Sequence, residues 1–180
     1  MSTIKLYDLI KLYDLLETVL SEVGENTAEP YTATRKPTSE GGIIYAWKTE
    51  NNVSYELYID KKRDYKINDC EYDVSFGVID PETEKVDATI TSKYGEVGNL
   101  RRVMATVIKY TKEELVLDTK NNWWVSRITM SPTKETNFDD RRANLYLAYI
   151  KKNMPADAEV YYDNAANEIT IYLQGITIDL

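Results

Sequence analysis

The spacing of apolar residues changes several times along this 180-residue chain. Between 2 and 22, Leu6, Leu9, Ile10, Leu16, Val19 and Leu20 recur at helical spacing, with Ser2 placed to cap the start and Gly24 to end it. The hexapeptide IKLYDL stands at 4–9 and again at 10–15; six residues is not a supercoil period, so this is a local duplication. Residues 24–42 hold Pro30, Pro37, Gly41 and Gly42 among polar neighbours and are predicted as loop. From 43 the period becomes two. Strands are predicted at 43–48, 53–60 and 71–79, and a further one through Val86, Ala88 and Ile90, with turns at 49–52 and 80–84. This is an antiparallel meander. The charged run Asp60-Lys61-Lys62-Arg63-Asp64 is expected as an exposed loop.

At Gly95 the period turns helical again. Leu100, Val103, Met104, Val107 and Ile108 predict a helix over about 98–114, followed by a strand at 123–130. A second helix is expected over 137–153, capped by Asn137 or Asp139, with Leu145, Tyr146, Tyr149 and Ile150 on its apolar face. Two last strands, 158–164 and 168–178, are joined by Asn164-Ala165-Ala166-Asn167. The expected fold class is α/β (α+β), a single domain over 1–180: an N-terminal helix (1–23), a loop (24–42) and a core (43–180) built on a mostly antiparallel sheet of six or seven strands flanked by helices.

Composition narrows the chemistry. The chain has no histidine and one cysteine, Cys70. Ser-His-Asp and Cys-His nucleophile systems, histidine phosphotransfer, His-containing zinc sites and thiolate zinc sites are thereby excluded. Catalysis would fall to carboxylates, Tyr, Lys, Ser/Thr, backbone amides or an oxygen-ligated metal. No signal-like apolar segment follows a basic start, and no apolar run nears the length of a membrane span, so neither a standard signal peptide nor membrane insertion is expected. The net charge of −8 is uneven: residues 1–30 hold two lysines against six acidic residues, and 153–180 hold five acidic residues and no lysine or arginine. The basic pairs Arg101-Arg102, Arg141-Arg142 and Lys151-Lys152 lie between and read as solvated helix charges, so direct nucleic-acid binding is not expected.

Over about residues 43–180 the order of elements resembles the GNAT superfamily of N-acetyltransferases. In that family a turn before the central helix holds the pyrophosphate of acetyl-CoA on backbone amides, where a helix start offers unpaired N–H groups and a positive dipole end. The corresponding segment here is Tyr94-Gly95-Glu96-Val97-Gly98-Asn99, leading into Arg101. The resemblance makes Gly95, Gly98, Asn99 and Arg101 the cofactor-binding candidates. Asn144-Leu145-Tyr146 resembles the family's later helix, where a Tyr hydroxyl protonates the leaving thiolate; Tyr146 is the catalytic candidate, and Glu56 or Asp73 is a positional choice for the base. The glycine pattern departs from the family's in both registers, and Glu96 sets a carboxylate where two phosphates would lie.

The segments Gly98-Asn99-Leu100-Arg101-Arg102-Val103-Met104-Ala105-Thr106-Val107 and Arg142-Ala143-Asn144-Leu145-Tyr146 also resemble a group of tailed-phage proteins often compared with the GNAT fold. That resemblance implies a phage protein of host cytoplasm or virion. The expected function is a non-catalytic structural or host-interaction module with a protein partner of phage or host, and no cofactor is assigned to it. The alternative is an N-acetyltransferase using acetyl-CoA on an amine. Asp139-Asp140 reads as helix capping rather than as cation ligands, and Cys70 lacks a visible base.

Overall fold

The computed structural model describes residues 28–87, 100–132, 143–144, 146–147, 150–151 and 158–173. The expected N-terminal helix (1–23), the Gly95–Asn99 turn and Asp139-Asp140 lie outside them. Eight strands and one long helix follow in the order β1 (Thr34–Pro37), β2 (Ile43–Lys48), β3 (Ser54–Asp64), β4 (Asp69–Ile79), β5 (Val86–Asp87), α1 (Leu100–Lys120), β6 (Trp124–Met130), β7 (Glu159–Asp163) and β8 (Glu168–Tyr172). The strands form one sheet in the order β1-β2-β3-β4-β6-β8-β7, with β5 paired to β4 off that path. All pairings are antiparallel except β4 with β6, which is parallel and therefore needs the crossover that α1 supplies. The fold is thus α+β with a mostly antiparallel open sheet. Among the described residues α1 is the one helix with defined ends, and residues 143–144, 146–147 and 150–151 are helical as well.

Turn chemistry explains where the chain reverses. Asn52, Asn68, Asn122 and Asn167 have φ of 64°, 53°, 61° and 53°. Each closes a hairpin or follows a helix end, where a short polar side chain tolerates the left-handed region. In the turn after β4, Asp80 Oδ1 accepts the Glu82 N–H at 2.8 Å.

Alternation decides the core. On one face lie Tyr45, Tyr55, Leu57, Ile59, Tyr72, Val74, Ile128, Ile169 and Ile171, all buried, and Val103, Met104 and Val107 of α1 pack with them. Tyr146 sits on the same face: its ring is 5.8 Å from Phe76, whose cross-strand partner is the buried Leu57. No described helix covers the other face. β6 joins β4 with a shift between Cys70 and Glu71 that leaves Ser126 as the extra residue, and its hydroxyl donates to Asp69 Oδ2 at 3.0 Å.

Three expectations need correction. The 24–42 loop contains β1, because Pro37 and its polar neighbours are tolerated on an edge strand. The central helix runs on to Lys120 rather than stopping near 114, because its last two turns are held by buried polar side chains and not by apolar ones. Residues 60–64 are the second half of β3, not a loop.

Candidate functional site

The densest chemistry lies between α1 and the sheet. Thr106, Tyr110, Glu114 and Asp118 recur every four residues and so form one row along α1. The first two secure the segment before β1: Thr106 Oγ1 accepts the Tyr31 N–H at 2.9 Å, and the Tyr110 hydroxyl accepts the Ala33 N–H at 2.7 Å. The last two are buried carboxylates, with Glu114 0% and Asp118 2% exposed. Strand alternation brings Arg35, Tyr45, Lys61, Arg63 and Tyr72 to the same face.

Every carboxylate oxygen is engaged. Glu114 Oε1 accepts from Arg35 Nε and the Tyr45 hydroxyl, both at 2.6 Å, and Oε2 accepts from Lys61 Nζ at 2.7 Å. Asp118 Oδ1 accepts from Arg63 at 2.8 Å; Oδ2 accepts from the Tyr72 hydroxyl at 2.5 Å and faces Lys61 Nζ at 2.7 Å. Lys61, with a side chain only 3% exposed, bridges the two acids. Trp123 covers the outer end, with the Arg63 guanidinium 5.0 Å from its ring centroid.

The electrostatics make this cluster a clasp rather than a reaction centre. Burial alone would raise the Glu114 pKa, but hydrogen bonds from Arg35, Lys61 and Tyr45 outweigh it and hold the carboxyl down at about 2. Such a group takes up no proton near neutrality and is a poor general base. Burial and the bonds to Glu114 and Asp118 push the Tyr45 and Tyr72 phenols up. Cys70 is 0% exposed, and burial raises its thiol to about 11, with Asp118 adding to the shift. It is therefore inert near neutral pH.

The expected site residues are only partly brought together. Gly95, Gly98 and Asn99 fall outside the described residues. Arg101 is exposed on the first turn of α1. Its neighbour Arg102 is bound by structure: it pairs with Glu50, donates to the Glu29 carbonyl at 2.7 Å and lies 4.0 Å over the Tyr31 ring. Tyr146 is 7% exposed against Phe76. Asp73 and Glu56 face the opposite side of the sheet, where Glu56 accepts a hydrogen bond from Tyr58, so neither is placed to act with Tyr146.

The face that no described helix covers has a different character. On β3 and β4 it carries Glu56, Asp60, Asp64, Asp69, Glu71 and Asp73 against one lysine, Lys62, and Arg127 of the neighbouring β6 pairs with Glu71 at 2.5 Å. Asp60 stands directly opposite Asp73, and Asp64 opposite Asp69. Among the described residues no group of three or more His, Cys, Asp or Glu side chains converges as a metal site. No described helix is long and apolar enough to cross a membrane.

Sequence reasoning missed the clasp. The i, i+4 row from Thr106 to Asp118 was a visible signal, and so was the alternation Ile59, Lys61, Arg63. No family model matches the chain, and no curated protein and no solved structure matches it either.

Proposed function

We propose that the chain is a non-catalytic interaction module of phage type that offers the sheet face opposite α1 to a basic protein surface of phage or host. The observation that carries this reading is the cross-strand register of two acidic pairs on β3 and β4, Asp60 opposite Asp73 and Asp64 opposite Asp69. Like charges directly opposite each other disfavour a ladder. A partner bringing lysine or arginine would relieve that repulsion. The closed clasp agrees with a scaffold role, since its ionisable groups are consumed in holding α1 to the sheet. The phage assignment and its setting in host cytoplasm or virion rest on the resemblance of 98–107 and 142–146.

The test is capture from a host extract on the immobilised chain at low salt, compared with Asp60→Asn/Asp73→Asn. The wild-type chain should retain a basic protein that salt elutes, and the variant should retain less while unfolding at higher denaturant. Equal capture by both, or capture that salt does not weaken, would refute the reading.

One observation favours acetyl-CoA-dependent N-acetyltransfer as a second reading. Along one edge of β4, β6 pairs with 69–74 and β5 with 78–79, and no described strand pairs with the stretch between. Tyr146 rests on Phe76 at that break. In this reading Gly95, Gly98, Asn99 and Arg101 bind the cofactor and Tyr146 is the acid. Isothermal titration with acetyl-CoA separates the two: no binding at high micromolar concentration removes the enzyme.

A further inference from the structure

The two outer strands of the sheet carry opposite charge. β1 (TRKP) has Arg35 and Lys36 and no acid, while β7 (EVYYD) has Glu159 and Asp163 and no base. Among the described residues each pairs on one side only, β1 with β2 and β7 with β8. An edge strand exposes a row of unpaired N–H and C=O groups, and charges on it discourage pairing. Here the protection is selective. Arg35 is held by Glu114 and Asp163 by the N–H groups of Ala165 and Ala166, so the charges these edges present are Lys36 on β1 and Glu159 on β7. A β1 edge against a β7 edge meets opposite charge.

Strand directions permit that contact. Following the sheet from β1, the strands alternate through β4, continue parallel into β6, then alternate through β8 to β7. β1 and β7 therefore run in opposite directions. A second molecule set beside the first in the same orientation presents its β1 antiparallel to β7. Faces match as well. Lys36 pairs with Ile44, which pairs with Tyr58, and Glu159 pairs with Tyr172, which pairs with Arg127, so both lie on the side of the sheet opposite α1. With Lys36 opposite Glu159, Thr34 falls opposite Tyr161, which is 54% exposed. Pro37, which has no N–H to give, closes the ladder at the last residue of β1.

We infer that the chain associates head to tail with further copies of itself, β1 of one molecule adding to β7 of the next so that the sheet continues across the contact. The contact is heterologous, so it builds rings or open filaments rather than a closed two-fold dimer. It uses the two edges of the sheet and does not depend on the acidic-face reading.

Sedimentation velocity of the full chain across a concentration series tests this. At low salt the wild-type protein should populate a ladder of species that shrinks as salt rises. Lys36→Glu and Glu159→Lys each replace an opposite-charge pair by a like one and should weaken association about tenfold. The chain carrying both changes should recover it. Circular dichroism melts confirm that each variant is folded. A wild-type chain that stays monomeric throughout at low salt would overturn the inference, and so would association that neither reversal weakens.

Discussion

Replacing Lys61 by Met separates the clasp from a surface loop. The ammonium lies 2.7 Å from Glu114 and 2.7 Å from Asp118, with its side chain 3% exposed. Met keeps the length of the stem and removes the charge. Two buried carboxylates then face each other with one cation fewer. Breaking a buried ion pair by removing one partner costs about 3–5 kcal/mol. Here Glu114 keeps Arg35 and Tyr45, and Asp118 keeps Arg63 and Tyr72, so the expected loss sits at the low end, about 3 kcal/mol. Against a typical domain stability of about 5–15 kcal/mol that is a large share. A lysine in an exposed loop would change stability by no more than about 0.5 kcal/mol. Urea unfolding followed by circular dichroism reads the difference as a shift in midpoint at constant slope. The acid dependence supplies a second readout. Without Lys61, Glu114 loses one of the hydrogen bonds that hold its pKa down and protonates at higher pH in the folded state, so the gap between variant and wild type should narrow between pH 7 and pH 4. A loss under 1 kcal/mol, or a gap that does not change with pH, would refute the clasp.

Two further outcomes follow from the same cluster. Glu114 has its folded pKa lowered from 4.5 to about 2, so its contribution is complete above pH 4.5 and is lost as pH falls toward 2. The displacement corresponds to roughly 3 kcal/mol, and Glu114→Gln should flatten that part of the acid-unfolding curve; an unchanged curve counts against the network. Cys70, buried with its thiol raised to about 11, should resist an aromatic disulfide reagent at pH 8 in the native protein and react at once in denaturant. Immediate labelling of the native chain would show that β4 is open at that point.

Period and turn residues made much of the fold legible. The alternation through Val53, Tyr55, Leu57 and Ile59, the alternation through Tyr72, Val74, Phe76 and Val78, and the turns ending at Asn52 and Asn167 placed the central strands where the structure has them. The site was legible only in fragments. Arg101 could be named, and it is exposed at the start of α1. The clasp shows in the sequence only as two halves, the row from Thr106 to Asp118 and the alternation Ile59, Lys61, Arg63, and nothing local says that the halves meet. Whether Lys61 meets water or a carboxylate depends on what lies above it.

Composition alone limits what chemistry is open to this protein. Without histidine and with a single cysteine, whole classes of catalysis are excluded whatever the fold. Residue order sets the strand alternation and the asparagine turns, because both are local consequences of side-chain direction and backbone sterics. Which charges are buried is set by contacts between distant segments. Lys61 and Arg63 alternate with Lys62, so one side of β3 sends its cations under α1 and the other side faces outward. Glu114 and Asp118 lie above them only because the β4–α1–β6 crossover lays the last turns of the helix across that end of the sheet. A charge in a low-dielectric interior is held by partners that are distant in sequence, Arg35 and Glu114 being 79 residues apart, and no local pattern encodes that distance.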